Sequence, residues 1–511
     1  MYTVLPFSED GFVGSCTHPK LSENACRQNA HTRYFIEYLR AIGCKTIVVE
    51  QDYVDRDYLV DFTAYYARCF FDYDRKCKRL HFFSGDFAAG DLEALLDGSM
   101  SPMPERFGKY LGFIVVKPLP VRFFGRTCLV TYPTDGGRRF PSLRRYDVHL
   151  AGEPLSVESL AFQEQDRDVA ACATAAIWSA LHKTAKEFGF RIPTPSEITR
   201  MVDESSSTSQ RNIPNNGLTV EQIRHAIKKT GLEAEIFSVP NLAALKTHIY
   251  AYHAFGLPVI LGYGLETNQG ELLGAHAVTV AGMNLDTKGA APTLTAQRII
   301  KLYLHDDQAG PFSRATFGAG ETLETQFPDP HGPVLAKPRK VPGQQPSYTV
   351  IVPVYPKIRI SVTEAIDYLK DLLKFFSRLQ FGGIEWDVRL ISNTEYKKQI
   401  PTTTTAREVI RRVRTAQLPR FMWLLRGTTQ RGLLFDLLLD ATSIRDAELH
   451  VHRVFYDEAV RSHVWNNILA DKSVQDRLMQ STHERFAKAI LAVFEPDKPT
   501  APANSDAVII A

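Results

Sequence analysis

The sequence of 511 residues has little cysteine, little net charge and no apolar run long enough to cross a bilayer. Its first residues also lack the basic and apolar regions of a secretory signal. These absences predict a protein that is neither exported nor inserted in a membrane, and the expected location is the cytoplasm. A formal net charge of +3 gives no electrostatic reason to expect nucleic acid or a membrane surface as a partner.

The seven cysteines are an odd number and form no CxxC pair, which argues against a disulfide framework and against a cysteine-based zinc site. His450 and His452 share one face of an expected strand, but no third ligand stands in register with them. The sequence therefore predicts neither a metal nor a cofactor.

Length and composition predict a globular protein with several domains, because 44% of the residues are hydrophobic and 23% are charged. The first part reads as short apolar strands with one long helix over residues 57–73. The second has helices followed by strands and ends in a proline-rich stretch. The predicted divisions are an α+β module at 1–154, an α+β domain at 155–356 that includes the proline-rich segment 328–346, an α/β module at 357–495 and a flexible tail at 496–511.

The second domain contains local signals for helix starts. Thr194 with Glu197, and Thr219 with Gln222, match the capping box. Strands are expected afterwards at residues 257–264, 275–284 and 298–306.

Cys172 lies in the stretch "VAACATAAIWSALHKTAKEF", whose strong helix formers predict a helix from about Val169 with Cys172 in its first turn. The unpaired N–H groups at a helix start stabilise a thiolate, which is the reactive form of cysteine. Taken alone, a cysteine among alanines also fits a structural position in a helix.

A nucleophilic cysteine needs a base and a group that orients the base. His276 in "AHAVTVAGM" is expected at the start of a strand, and Asp306 is expected at the end of the next one, with Asp307 as the alternative. An oxyanion donor besides the backbone is also needed. Gln165 is the first candidate for it and Gln163 the second.

The order of these residues resembles that of papain-like cysteine peptidases, most closely the double-glycine leader peptidases of bacteria, over residues 160–325. The matching elements are Gln165, Cys172, "GLPVILGY" at 256–263, His276 in "HAVTVAGM", and Asp306 with Gly310. The resemblance implies a papain-like core, in which a helix carries the cysteine and an antiparallel sheet carries the histidine and aspartate.

The chain also departs from that family. Gln165 stands one position further from the cysteine than is usual, alanines flank Cys172, and "HDDQAG" replaces the usual Asp-Pro, which keeps Asp307 open. The membrane helices to which leader peptidases are often fused are missing from the sequence.

The leading hypothesis is a cysteine peptidase that hydrolyses a peptide or isopeptide bond of a protein or peptide substrate. One alternative is a transglutaminase-like acyl transferase or deamidase that uses the same triad. Another is a papain-fold interaction protein whose site is no longer catalytic. The modules on either side offer surfaces for a protein partner.

Overall fold

A computed structural model of the chain shows a mixed α+β protein whose sheets are antiparallel. Contacts divide it into unit 1, residues 1–289 and 297–356, and unit 2, residues 290–296 and 357–511. Residues 1–154 therefore lie in unit 1, as do residues 155–356 except for 290–296. None of the helices in the described part of the chain combines the length and the apolar character that a bilayer span requires. The residues that the structure describes are 2–99, 105–165, 172–203, 218–267, 269–290, 292–329, 332, 334–378, 383–404, 406–430, 432–444, 451–456 and 458–496.

The N-terminal part of unit 1 is an antiparallel sheet with helices packed against it. The helices are α1 (Glu9–Cys16), α2 (Glu23–Gln28), α3 (Ala30–Ala41), α4 (Arg56–Ala64) and α5 (Ala89–Leu96). The strands, in spatial order, are β1 (Tyr2–Pro6), β2 (Thr46–Tyr53), β3 (Cys77–Phe83), β4 (Tyr110–Val116) and β5 (Phe124–Leu129). Phe12, Phe35 and Phe124 are among the buried rings that join α1 and α3 to the sheet.

The prediction of a single long helix over residues 57–73 is wrong. Helix α4 ends at Ala64, because Tyr65 leaves the helical conformation with φ of −130°. The hydroxyl of Tyr58 donates to the carbonyl of Asp74, which holds the chain folded back on the helix. The aromatic residues that suggest one helical face thus contact one another from separate segments, as Tyr66 and Tyr73 do.

Helices α1, α2 and α3 are not predicted by apolar periodicity, because they are short or begin with polar residues. Their signal lies in their caps. The side chains of Ser8, Ser22 and Asn29 each accept a hydrogen bond from the backbone N–H three residues further on, which satisfies a donor that a helix start leaves unpaired.

The C-terminal part of unit 1 is built on a nine-stranded sheet. Its helices are α6 (Cys172–Phe188), α7 (Pro195–Asp203), α8 (Val220–Lys229) and α9 (Leu242–His253). The remaining strands of unit 1 are β6 (Arg138–Arg139), β7 (Arg144–Leu150), β8 (Glu153–Ser159), β9 (Glu233–Val239), β10 (Val259–Thr267), β11 (Leu272–Leu285), β12 (Ile299–Asp306), β13 (Gly310–Phe317), β14 (Leu323–Glu324), β15 (Val334–Lys337) and β16 (Tyr348–Val354). Strands β7 and β8 form a separate hairpin, and the sheet order is β6-β11-β12-β13-β14-β15-β10-β16-β9.

Strand β10 pairs with β11 as well as with β15. The six strands from β10 to β15 therefore form a closed ring of paired strands. The three strands predicted in this region are confirmed as β10, β11 and β12, and both predicted capping boxes are present at α7 and α8. Helix α6 packs against β11 with small and apolar side chains, including Ala176, Ile177 and Ala180.

Unit 2 has a four-stranded antiparallel sheet, in the order β17-β18-β19-β20, with helices against it. Its elements are α10 (Val362–Arg378), β17 (Glu385–Ser392), α11 (Asn393–Thr403), α12 (Arg407–Thr415), β18 (Phe421–Thr429), β19 (Gly432–Asp440), β20 (Val451–Phe455), α13 (Glu458–Val464), α14 (Lys472–Ser481) and α15 (Glu484–Phe494). Most of the predicted tail, residues 497–511, lies outside the described residues.

Candidate active site

Cys172 is the first residue of helix α6 and is half-buried. Residues 169–171, where the sequence predicts the helix to begin, lie outside the described residues. The helix is fixed to the sheet by two side chains. Thr279 of β11 donates to the carbonyl of Ala176 at 2.8 Å, and the hydroxyl of Ser179 lies 3.2 Å from Nδ1 of His305 in β12. The helix start is thereby held next to these two strands.

His276 lies inside β11, because the strand begins at Leu272 rather than at residue 275 as predicted. It is 5% exposed. Its cross-strand partner on β10 is Tyr263, and the two rings meet edge to face at 5.7 Å. On another side Phe327 contacts the ring edge to face at 5.4 Å. Two aromatic side chains thus restrict the orientation of the imidazole.

Asp306 ends β12, as the sequence predicts, and faces His276. Nε2 of His276 lies 2.9 Å from Oδ1 of Asp306 and 3.8 Å from the nearer oxygen of Asp307. Only the first distance is that of a hydrogen bond. Asp306, rather than Asp307, is therefore the carboxylate that orients the ring.

The proton on His276 is strongly favoured by its neighbours. Burial lowers the pKa of the imidazole, but the charge of Asp306, its hydrogen bond and a hydrogen bond with Cys172 raise this pKa well above its ordinary value. Since Nε2 faces Asp306, the opposite nitrogen, Nδ1, is the one left for the sulfur. An imidazolium beside a thiol favours the thiolate, which is the nucleophile.

The two carboxyl groups have opposite pKa shifts. Burial raises the pKa of Asp306, but the positive charge and hydrogen bond of His276, with a backbone N–H of Gln308, lower it below its ordinary value. Burial raises the pKa of Asp307 to about 6, with His276 lowering it and the charge of Asp306 raising it further. Asp306 is therefore an anion at neutral pH, and Asp307 takes up a proton in mild acid.

The structure brings Gln165 to the site but does not do so for Gln163. Oε1 of Gln165 accepts a hydrogen bond from Nε2 of Gln308 at 2.6 Å, and Gln308 follows the two aspartates. Gln163 is half-buried and, within the described ranges, makes no hydrogen bond to the residues of the site. Glu164 between them is fully buried and contacts His31 and Arg122.

Several residues of the site escape the sequence analysis. Gln308 and Glu164 are next to predicted site residues in the chain, and this adjacency could have indicated them. Tyr263 has no such signal. It is buried, its hydroxyl has no hydrogen-bond partner within the described part of the chain, and after burial the charges of Asp306, Asp307 and Cys172 raise its pKa.

The same atoms offer a possible cation site. His276, Asp306 and Asp307 provide a nitrogen and two carboxylate oxygens that lie within 4.8 Å of one another, a donor set suited to a divalent cation. The ring nitrogen that faces the carboxylates already contacts Asp306, so a cation would replace the hydrogen bond that orients the ring. His450, considered above as a ligand with His452, lies outside the described residues.

No protein-family model matches the chain, and no curated protein matches it in sequence.

Proposed function

We propose that the chain is a cysteine hydrolase with a papain-like core that cleaves a peptide or isopeptide bond. The supporting observation is the 2.9 Å hydrogen bond between His276 and Asp306, together with the raised pKa of the imidazole, to which a hydrogen bond with Cys172 contributes. A helix start supplies the thiol, and two antiparallel strands supply the histidine and the aspartate, which is the distribution expected of that core.

In the first half of the reaction, the thiolate of Cys172 attacks the substrate carbonyl carbon, and the electrons of the C=O bond move to oxygen. The backbone N–H of Cys172 and the amide of Gln165 donate to this oxyanion. As the intermediate collapses, the C–N bond breaks, and the imidazolium of His276 gives its proton to the leaving amine. A thioester on Cys172 remains.

In the second half, neutral His276 takes a proton from water, which attacks the thioester. The C–S bond breaks, the acid product leaves, and the thiolate and imidazolium are restored. Asp306 stays ionised and holds the ring with Nε2–H toward itself. Its low pKa fits that task, because a carboxylate that became protonated would lose its attraction for the imidazolium.

The thiol can be tested without knowing the substrate. Iodoacetamide should alkylate Cys172 much faster than the other cysteines near pH 6, and Cys172→Ala and Cys172→Ser should abolish that labelling. His276→Ala should slow it strongly, because the substitution removes the imidazolium that favours the thiolate. Mass spectrometry after timed labelling measures each site.

Cys69 supplies the matched control, because it is the other half-buried cysteine. Cys69→Ala should leave the fast labelling intact. Slow labelling of Cys172 in the wild type, unchanged by His276→Ala, would contradict the proposal and favour an interaction protein.

Acyl transfer and deamidation remain alternatives that share the first half-reaction. They differ in the group that leaves when the thioester forms or in the nucleophile that then attacks it. A glutamine-containing peptide incubated with a primary amine separates them, since incorporation of the amine indicates transfer, release of ammonia without incorporation indicates deamidation, and cleavage of the chain indicates hydrolysis.

A further inference from the structure

The side chain of Gln308 lies between three polar side chains of the site. Its Nε2 is 2.6 Å from Oε1 of Gln165 and 3.0 Å from Oδ2 of Asp307. Its Oε1 is 2.9 Å from Nη2 of Arg122. Its backbone N–H donates at 3.0 Å to Oδ1 of Asp306, the oxygen that also contacts His276.

The direction of these hydrogen bonds is fixed by the arginine. A guanidinium has donors only, so Gln308 must turn its oxygen toward Arg122. Its NH₂ group then faces Asp307 and Gln165. Gln165 must in turn present its oxygen to Gln308, which leaves its own NH₂ group pointing away from this contact. The orientation of the Gln165 amide is thus set by Arg122, acting through the amide of Gln308.

Arg122 is itself held by a buried group. Its Nη1 lies 3.3 Å from Oε1 of Glu164, which is fully buried and also contacts Nδ1 of His31 at 3.1 Å and the backbone N–H of Phe124. Glu164 immediately precedes Gln165. The contacts therefore form a closed loop through Gln165, Glu164, Arg122 and Gln308, here called the Gln308 network.

Arg122 has a positive φ of 57°, a conformation that residues with a side chain rarely adopt. In this conformation the Arg122 side chain contacts both Glu164 and Gln308. Because Arg122 and His31 belong to the first 150 residues, part of the site depends on the segment that carries the five-stranded sheet.

We propose that Gln308 and Arg122 are positioning residues that hold the NH₂ group of Gln165 toward the oxyanion. This inference rests on the proposed function. Neither residue touches the reacting atoms. Their effect is to prevent the amide of Gln165 from rotating, since a rotated amide would present an oxygen to a developing negative charge.

The test compares two reactions of the same thiol. Acylation by p-nitrophenyl acetate forms a tetrahedral oxyanion, expels p-nitrophenolate and leaves an acetyl thioester. Alkylation by iodoacetamide displaces iodide and forms no oxyanion. A change in the Gln165 amide should therefore affect the first reaction and spare the second.

Gln308→Glu is the informative variant, because a carboxylate still accepts a hydrogen bond from Arg122 but cannot donate one to Gln165. It should slow acylation roughly 100-fold, as Gln165→Ala should, since the loss of one oxyanion donor costs about that much or more. Alkylation of Cys172 should change less than about threefold. The double variant should be no slower in acylation than Gln165→Ala alone.

Gln308→Met separates orientation from added charge, because it removes the hydrogen bonds at similar length. It should give an intermediate loss of acylation with the pH profile of alkylation unchanged. Gln399→Glu is the matched control in unit 2, where Gln399 likewise accepts from an arginine, Arg389, and donates to a carboxylate, that of Glu395. It should leave both reactions at the wild-type rate.

Two results would overturn the inference while the proposed function stands. The first is acylation of Gln308→Glu at the wild-type rate. The second is an equal loss of acylation and alkylation in both Gln308→Glu and Gln308→Met. Failure of the proposed function looks different. In that case wild-type Cys172 is neither acylated nor rapidly alkylated, which overturns both.

Discussion

Asp306 and Asp307 are adjacent in the chain and almost equally buried, yet their surroundings differ. Asp306 accepts from His276 and from a backbone N–H, whereas Asp307 accepts from the neutral amide of Gln308. A buried carboxylate is stabilised by a positive charge much more than by an amide. Removing the charge of Asp306 should therefore destabilise the folded protein, whereas removing the charge of Asp307 should stabilise it.

Asp307→Asn should stabilise the protein at neutral pH by up to about 3 kcal/mol. The pKa of Asp307 is raised to about 6 in the folded chain, so its contribution to stability is present below its ordinary pKa and is lost as the pH rises through about 6. Urea unfolding near pH 4.5 and near pH 7.5 measures the effect, which should be larger at the higher pH.

Asp306→Asn should do the reverse. The pKa of Asp306 is lowered, so its contribution is present at neutral pH and is lost in acid. Its removal leaves a buried imidazole without its counterion and should slow acylation of Cys172. Equal effects of the two substitutions on stability at neutral pH would show that the assignment of the orienting carboxylate is mistaken.

At the scale of elements, the turn between β12 and β13 presents Asp306, Asp307 and Gln308 together. Gly310 ends this turn with a φ of +148°, and it is the partner of Asp306 in the pairing of β12 with β13. A Cβ at Gly310 would lie 2.3 Å from the ring of Tyr34, whose hydroxyl donates to the carbonyl of Pro311. The turn is thus fixed by a side chain from α3.

Gly310→Ala should destabilise the protein by about 1–3 kcal/mol, because the half-buried Tyr34 ring would have to move and the backbone is strained. It should also slow alkylation of Cys172, since the turn positions Asp306. Gly320→Ala is the control, because Gly320 also has a positive φ, +67°, but open space at its Cβ. If the two variants lose the same stability, the contact with Tyr34 has no role beyond backbone strain.

Whether the start or end of a helix could be predicted from the sequence depended on how close in the chain the interacting residues are. The capping boxes at Thr194 and Thr219 involve side chains three residues apart, and both are present. The end of α4 depends on Tyr58 reaching Asp74, a contact that periodicity does not encode. Element starts with a polar cap are therefore readable, whereas helix ends imposed by distant packing are not.

At the scale of the whole molecule, the candidate site lies entirely in unit 1, and unit 2 has its own buried polar centre. Asp436 in β19 is fully buried, pairs with Arg426 through both oxygens, and accepts from the hydroxyls of Tyr396 and Tyr456. The pair belongs to one sheet and its helices, so its loss should act on unit 2.

Asp436→Asn should lower the unfolding temperature of unit 2, because breaking a buried ion pair costs about 3–5 kcal/mol. Calorimetry should show one transition shifted and another unchanged, with alkylation of Cys172 at its wild-type rate. Asp367→Asn is the control, since Asp367 pairs with Lys370 at the surface. A shift of every transition together with loss of alkylation would mean that the two units do not unfold separately.

The sequence by itself determined the helix that carries Cys172, the strands that carry His276 and Asp306, and the caps of α7 and α8, because these depend on residue types within a few positions of each other. Only the tertiary structure decided that Asp306 rather than Asp307 meets the imidazole, and that Gln165 rather than Gln163 meets Gln308. Both choices depend on contacts between segments far apart in the chain, and the first rests on distances of 2.9 Å and 3.8 Å to the same nitrogen. They also depend on the ion pair of Arg122 with the buried Glu164, which no local pattern reveals.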